Sequence, residues 1–486
     1  MTNNSTHPFV SLLNLPSSPL ALTWLLVLVS WTFPAVAAVD RSVKPKPGPA
    51  PAASFPDYAE KTLSNGLKVF VIQDDRKPTV TFRLLIKGGA LHDGAKTGLS
   101  SFVATLLNRG TTTRDAGKFA EETDAIGVKV EASSGADAFS VSASGLTKYT
   151  DRILDLLADA VLHPTFPAEQ LEKQRKQALS KLASEKQEAD ALAGKLTGQV
   201  VYGPHPYGAY LTEQTVQAIK RDDLVAYHEQ WFAPNNATLA VVGDVQSGDI
   251  LATLEKTFAA WTRREVPAEK TSAPPGMHGL TIHLVDRPGS VQSNIAVAQP
   301  GPARDESDMP ELNILNGTLG GGFSGRLFQN LREKNGWTYG AYSAFGPNKY
   351  GGVFSAGAET RNAVTAPAIR EILVEMKRLR DEPIPAAELE LQRQYNVGNY
   401  LLSLENAGRT ASRVQDIDLY GMAADYYKTY ASRMAATTAG KVQELARKYL
   451  SVEDTAIVVV GEAKEIRADL EKLGKVIEYD TELKPK

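Results

Sequence analysis

Short stretches such as Gly66-Leu-Lys-Val-Phe-Val-Ile72 and Thr79-Val-Thr-Phe-Arg-Leu-Leu-Ile86 alternate apolar with polar residues or run apolar throughout, which predicts β-strands. Residues 237 to 242 are apolar almost without interruption and read as a further strand that returns after a helical region. Helical stretches are predicted over 167–189 and 386–404. Strands first, helices next and a returning strand predict an α+β arrangement, a mixed, mostly antiparallel sheet with helices on one face.

The pattern occurs twice. Pro167-Ala-Glu-Gln-Leu-Glu-Lys-Gln-Arg175 matches Pro385-Ala-Ala-Glu-Leu-Glu-Leu-Gln-Arg393 at six of nine positions, 218 residues further on. At the same offset, Asn235 to Asp244 falls on Glu453 to Glu462, and Trp231 falls on Tyr449. Val71 to Pro78 also resembles Leu284 to Pro288, at a slightly different offset, as an insertion or deletion would produce. Two homologous layered domains of about 200 residues follow, a usual domain size. The expected boundaries are 57–261 for the first, 262–279 for a Pro-containing connection and 280–486 for the second.

Composition narrows the chemistry. The 486 residues are too many for a single core, which rarely grows past roughly 250 to 300 residues. A formal charge of −3, from 53 basic and 56 acidic residues, offers no case for nucleic acid or an anionic membrane. No cysteine is present, so disulfides, thiolate metal sites and thiol catalysis are excluded. The seven histidines form no HxxEH, HExxH or HxH arrangement, so the chain has no self-contained zinc motif. The segment Gly320-Gly-Gly-Phe-Ser-Gly325 lacks the Lys-Ser/Thr of a phosphate loop, and no G-x-S-x-G elbow occurs.

Residues 20 to 29 form an apolar run too short to cross a bilayer comfortably, and Ala35-Val36-Ala37 follows as a cleavage site. Residues 1–37 are therefore expected to be a signal peptide and the protein to be periplasmic or otherwise exported, with no stable membrane insertion afterwards. The leader lacks Lys and Arg, and an uncleaved anchor is the alternative. Residues 38–56 read as an extended Pro-rich linker.

Gly98 to Thr111 is predicted to be an amphipathic helix. Leu99, Phe102, Val103, Leu106 and Leu107 line one face, and Ser101, Ala104 and Thr105 are neighbours on the other. That triangle is where two ligands and an acid could share one metal, but its residues here are small and neutral.

This helix ending in Arg-Gly-Thr, the duplication, His205-Pro-Tyr-Gly208, Trp231-Phe-Ala-Pro-Asn-Asn236 and the strand ending Val-Val-Gly-Asp244 together resemble the pitrilysin, insulinase and mitochondrial-processing-peptidase family of metallopeptidases. The resemblance spans roughly residues 57 to 465 and implies half of a clamshell built from two such domains. Catalytic members carry H-x-x-E-H on that helix. Matched position by position, Ser101, Ala104 and Thr105 replace His, Glu and His, and the third zinc ligand falls near Lys181, with Ser180 beside it.

Leu319 to Ser343 resembles the family's second-domain signature, in which an Arg and a Tyr seven residues apart reach across to a zinc-bound peptide. Arg332 and Tyr339 occupy those positions. The resemblance thus implies no metal or cofactor in this chain, zinc in a homologous partner subunit, and Arg332 and Tyr339 acting in trans on a peptide or unfolded polypeptide. Gly320, Gly321, Gly322, Phe323 and Ser324 are the expected substrate-facing loop. On residue types alone Arg332 and Tyr339 could equally be a salt-bridged helix residue and a half-buried strand aromatic. A catalytically inert peptide-binding or scaffold member of the same family is the alternative function.

Overall fold

The computed structural model describes residues 54–486; the expected signal peptide and most of the Pro-rich segment lie outside them. The strands are β1 (Ala59–Thr62), β2 (Lys68–Gln73), β3 (Thr79–Lys87), β4 (Lys129–Ser134), β5 (Ala138–Leu146), β6 (Ala237–Gly243), β7 (Thr281–Asp286), β8 (Gln292–Gly301), β9 (Ala341–Gly346), β10 (Gly352–Arg361), β11 (Ala456–Gly461) and β12 (Val476–Tyr479). They form two six-stranded sheets, ordered β1-β2-β6-β3-β5-β4 and β12-β7-β11-β8-β10-β9.

Five strands repeat one topology. In each half the last strand of the repeat enters between the first two, parallel to the first and antiparallel to the second, as β6 does between β2 and β3 and β11 between β7 and β8. The sixth strand differs, because β1 pairs antiparallel with β2 whereas β12 pairs parallel with β7. The helices follow the duplication with the 218-residue spacing read from the sequence: Ala168–Glu185 corresponds to Ala386–Ser403, Ala189–Tyr202 to Ala407–Tyr420, and Arg221–Trp231 to Ala439–Tyr449.

Each half buries one sheet face under its own helices. Phe82, Leu84, Phe139 and Val141 pack with Phe102 and Leu157 in the first core; Ile295, Val297 and Phe354 pack with Ile369 and Leu445 in the second. The opposite faces are partly covered by an exchange. Ala407–Tyr420, from the second half, lies on β3 and β6, while Ala189–Tyr202, from the first half, lies on β8 and β11. This is why β6 is buried at every residue: Leu239 and Val241 face their own helices, and Ala240 and Val242 join the core of the other half. A strand covered on both faces gains by being apolar throughout.

The helix predicted over 98–111 ends at Leu106. Three-residue hydrogen bonds from Leu107 to Ala104 and from Arg109 to Leu106 tighten the chain, and Gly110 and Thr111 leave to bridge Asp115 and Pro164.

Candidate functional site

The helix Leu99–Leu106 presents the triangle anticipated from its spacing, with a difference in exposure. Ser101 is exposed and Thr105 half-buried, but Ala104 is buried. Thr105 turns its hydroxyl back to the Ser101 carbonyl at 2.9 Å, which occupies its proton within the helix. Lys181 is 77% exposed and lies 3.6 Å from Glu185 on its own helix. Two hydroxyls, a methyl and an ammonium are not a zinc donor set, since zinc in proteins takes imidazole, thiolate or carboxylate. Among the described residues no group of three or more His, Cys, Asp or Glu is gathered around one point. Beside the helix a polar cavity of about 460 Å³ is lined by Thr105, Asn108, Arg109, Glu131, Ser133 and Ser140, among others.

Three histidines of the first half have structural partners. His205 is buried, its Nδ1 accepting from the Tyr207 amide and its Nε2 bonding the Ser272 carbonyl of the inter-domain connection. His92 stacks on Trp231 with ring centroids 4.1 Å apart, and burial lowers its pKa. His228 donates to the Val161 carbonyl at 2.8 Å.

The second half carries the other expected residues. Arg332 sits on Phe328–Lys334, which winds as a wide π turn; the Asn335 amide reaches the Asn330 carbonyl, a five-residue step, at 3.1 Å. Asn330 anchors this turn through its side-chain amide, which donates to Glu371 at 2.7 Å and to the buried Glu375 at 2.9 Å. On that support the Arg332 guanidinium lies over the Phe328 ring, 4.8 Å from its centroid, and its nearest carboxylate is Glu333 at 3.7 Å. Cation–π contact leaves the in-plane N–H groups of the arginine available.

Tyr339 stands just before β9, 89% exposed, and its hydroxyl makes no hydrogen bond among the described residues. An aromatic so exposed contributes nothing to the core. Phe323, 67% exposed, meets the same Phe328 ring edge-on at 4.9 Å. The structure thus joins Phe323 and Arg332 through Phe328, while Tyr339 projects alone.

The glycine run divides in two. Gly320 is buried, its carbonyl accepting from the Ser343 amide at 2.9 Å, and a Cβ there would lie 2.6 Å from that nitrogen. It therefore shapes the loop from beneath. Gly321 is exposed, and its amide donates to the Asn316 carbonyl at 2.7 Å. Gly322 is half-buried beside Tyr395, and the exposed Ser324 accepts from Gln392 at 3.1 Å. Phe328, Tyr342 and Tyr395 were not singled out from the sequence. Only the four-residue spacing from Phe328 to Arg332 offered a signal.

A family profile described as the insulinase family, peptidase family M16, matches residues 68–211, and one described as the peptidase M16 inactive domain matches residues 218–396. The chain is 26% identical over 407 residues to the uncharacterized zinc protease YmxG of Bacillus subtilis, covering 82% of this chain and 97% of that protein. An uncharacterized zinc protease of Mycobacterium leprae is 26% identical over 380 residues, 76% of this chain and 84% of the relative. Among solved structures, a peptidase M16 inactive domain from Pseudomonas fluorescens superposes with a TM-score of 0.78 at 26% identity, covering 83% of this chain and 98% of the other. A protease from Helicobacter pylori gives the same TM-score at 20% identity over 83% and 99% of the two chains. With the duplicated sheets and both family profiles matched along the chain, the chain belongs to the M16 peptidase family.

Proposed function

We propose that this protein is an exported, zinc-free subunit of a two-chain zinc metallopeptidase, paired with a homologous subunit that carries H-x-x-E-H. The observation that carries the reading is the contrast between the two halves. The helix Leu99–Leu106 has none of the donors that zinc requires, whereas Tyr339 and Arg332 are both exposed, Arg332 on a turn anchored through Asn330.

Zinc and the water it activates belong to the partner in this reading. A peptide held between the chains presents a carbonyl oxygen that gains negative charge as the water adds. The Tyr339 hydroxyl donates one directed hydrogen bond to that oxygen, and the Arg332 fork grips the adjacent peptide carbonyl. Both groups are stronger donors to the charged state than to the ground state, which lowers the barrier. Phe323, which meets the same Phe328 ring as Arg332, offers an exposed apolar ring for a substrate side chain. Among the described residues no helix is long and apolar enough to cross a membrane.

The test is peptide hydrolysis by this chain, by a zinc-bearing homologue and by their mixture. The reading expects activity only in the mixture, falling by about 10²- to 10³-fold with Tyr339→Phe and comparably with Arg332→Ala. Equal cleavage by the homologue alone would leave this protein an inert peptide-binding or scaffold member.

A further inference from the structure

Outside the site above, a cavity of about 850 Å³ lies on the outer face of the first sheet, between β3, β4 and β5 and the start of the exchanged helix Ala407–Tyr420. The exchange produces it, because that helix covers β3 and β6 and leaves the β5 and β4 side of the same face open. Outward residues here are polar: Thr81 pairs across to Ser144, and Arg83 to Ser142, which in turn pairs with Glu131.

Arg83 is the unusual member. No carboxylate among the described residues lies within salt-bridge distance of it. Its Nη1 donates to Gln415 Oε1 at 2.5 Å. Gln415 cannot swing away, because it is wholly buried and its own amide donates to the Arg83 and Thr238 carbonyls, each at 2.9 Å. That bond uses one end of the guanidinium. The parallel N–H groups of Nε and Nη2, the edge that grips a carboxylate in two places, make no hydrogen bond among the described residues.

Nearby charges do not pair with that edge: Asp416, the carboxylate whose charge acts on Arg83, is engaged by Arg304 at 2.8 Å. Arg76 is occupied by Asp74 and Glu405. Glu131 lies in the Arg83 row but two strands away, roughly 9 to 10 Å at ordinary sheet spacing. Lys77 and Lys129 also line the cavity and form no ion pair among the described residues. A partly desolvated arginine with a fixed orientation and a vacant bidentate edge is the usual form of a carboxylate receptor.

We propose that this cavity binds a carboxylate carried by a peptide, with the Nε–Nη2 edge of Arg83 as its grip and Gln415 as the residue that positions it. The choice of a peptide as the carrier rests on the function proposed above; the carboxylate chemistry does not. Two sources share that chemistry, an Asp or Glu side chain and a free C-terminus.

Binding of fluorescent peptides to the intact chain, without hydrolysis, tests this. The set contains an amidated peptide with one internal Glu, the same peptide with Gln, and the Gln peptide with a free C-terminal carboxylate. At least one carboxylate-bearing peptide is expected to bind roughly tenfold or more tightly than the amidated Gln peptide, and which one does so identifies the source. Arg83→Gln should abolish that preference while leaving the amidated Gln peptide unchanged, and Arg83→Lys should lose most of it despite keeping the charge. Equal binding of all three peptides, no binding of any, or a preference that survives in a folded Arg83→Gln protein would overturn the proposal. The comparison between peptides on the unaltered chain needs no variant to fold. A preference found together with an inactive subunit mixture would reject shared catalysis and keep this site.

Discussion

Arg83 on β3 and Gln415 on the exchanged helix Ala407–Tyr420 are bonded reciprocally: the guanidinium donates to the Gln415 side-chain oxygen at 2.5 Å, and the Gln415 amide returns a bond to the Arg83 carbonyl at 2.9 Å. Residues 332 positions apart thereby pin one half of the chain onto the sheet of the other. The equivalent position in the opposite exchanged helix, 218 residues earlier, is Thr197, which is buried and whose hydroxyl has no partner. The two crossings share a geometry and differ in chemistry.

Gln415→Leu should therefore destabilise the protein more than a typical surface change. It keeps the volume but strips partners from the Arg83 and Thr238 carbonyls and from the Arg83 guanidinium, all in a buried setting. A loss of about 2–4 kcal/mol is expected in denaturant unfolding, from several unsatisfied groups at about 1–3 kcal/mol each. A change below about 0.5 kcal/mol would mean that water replaces the amide and that the crossing is held by apolar packing instead.

The duplication was readable because Pro167 to Arg175 and Pro385 to Arg393 begin helices whose starts must turn and cap in the same way in both halves. The exchange of helices was not, although β6 carried a trace of it. Its almost unbroken apolar run suits a strand covered on both faces, but it was read only as a returning strand, and no local pattern says which helix supplies the second cover. The roles proposed for Arg332 and Tyr339 come only from the family signature, since an arginine and a tyrosine at that spacing are equally good ion-pair and core residues. Arg83 reads as an ordinary polar position of a strand. Its meaning depends on Gln415, far along the chain.

Tyr339→Phe and Arg332→Ala should leave the folded chain as stable as before. The Tyr339 hydroxyl has no partner among the described residues and Arg332 is held by one stacking contact and one long, exposed ion pair, so unfolding free energies should move by no more than about 0.5–1 kcal/mol. Circular dichroism melts of both variants check this. A large drop would assign the two residues to structure and would weaken any interpretation of lost activity as lost transition-state contacts.

Gly320→Ala and Gly322→Ala should behave differently although they lie two residues apart. A Cβ on Gly320 meets the Ser343 nitrogen at 2.6 Å and its Oγ at 2.8 Å, so β9 or the loop must move, at a cost of about 1–3 kcal/mol. On Gly322 the nearest atom is the Tyr395 hydroxyl at 3.5 Å, an ordinary contact, and stability should change little. Paired denaturation curves decide it; equal losses would show that the loop responds as a unit and that the packing under Gly320 is not what requires glycine.

Stability should fall as the medium is acidified from about pH 6.5, before most carboxylates titrate. Burial pushes His228 and His283 down to about 4; the bond His228 donates to the Val161 carbonyl opposes that shift without cancelling it, and His283 bonds only the neutral Tyr479 and Thr281 hydroxyls. The unfolded chain takes up these protons below its ordinary histidine value near 6.5, while the folded chain refuses them until about pH 4. Folding therefore releases protons in that window, and stability is lost as pH falls through it by about 1.4 kcal/mol per pH unit for each histidine. Denaturant titrations at about pH 7, 6 and 5 should show this slope, and His283→Gln should reduce it by close to one proton's worth. A slope unchanged by that substitution would mean that His283 protonates in the folded state as readily as in the unfolded chain, and that its burial is relieved by water reaching the ring.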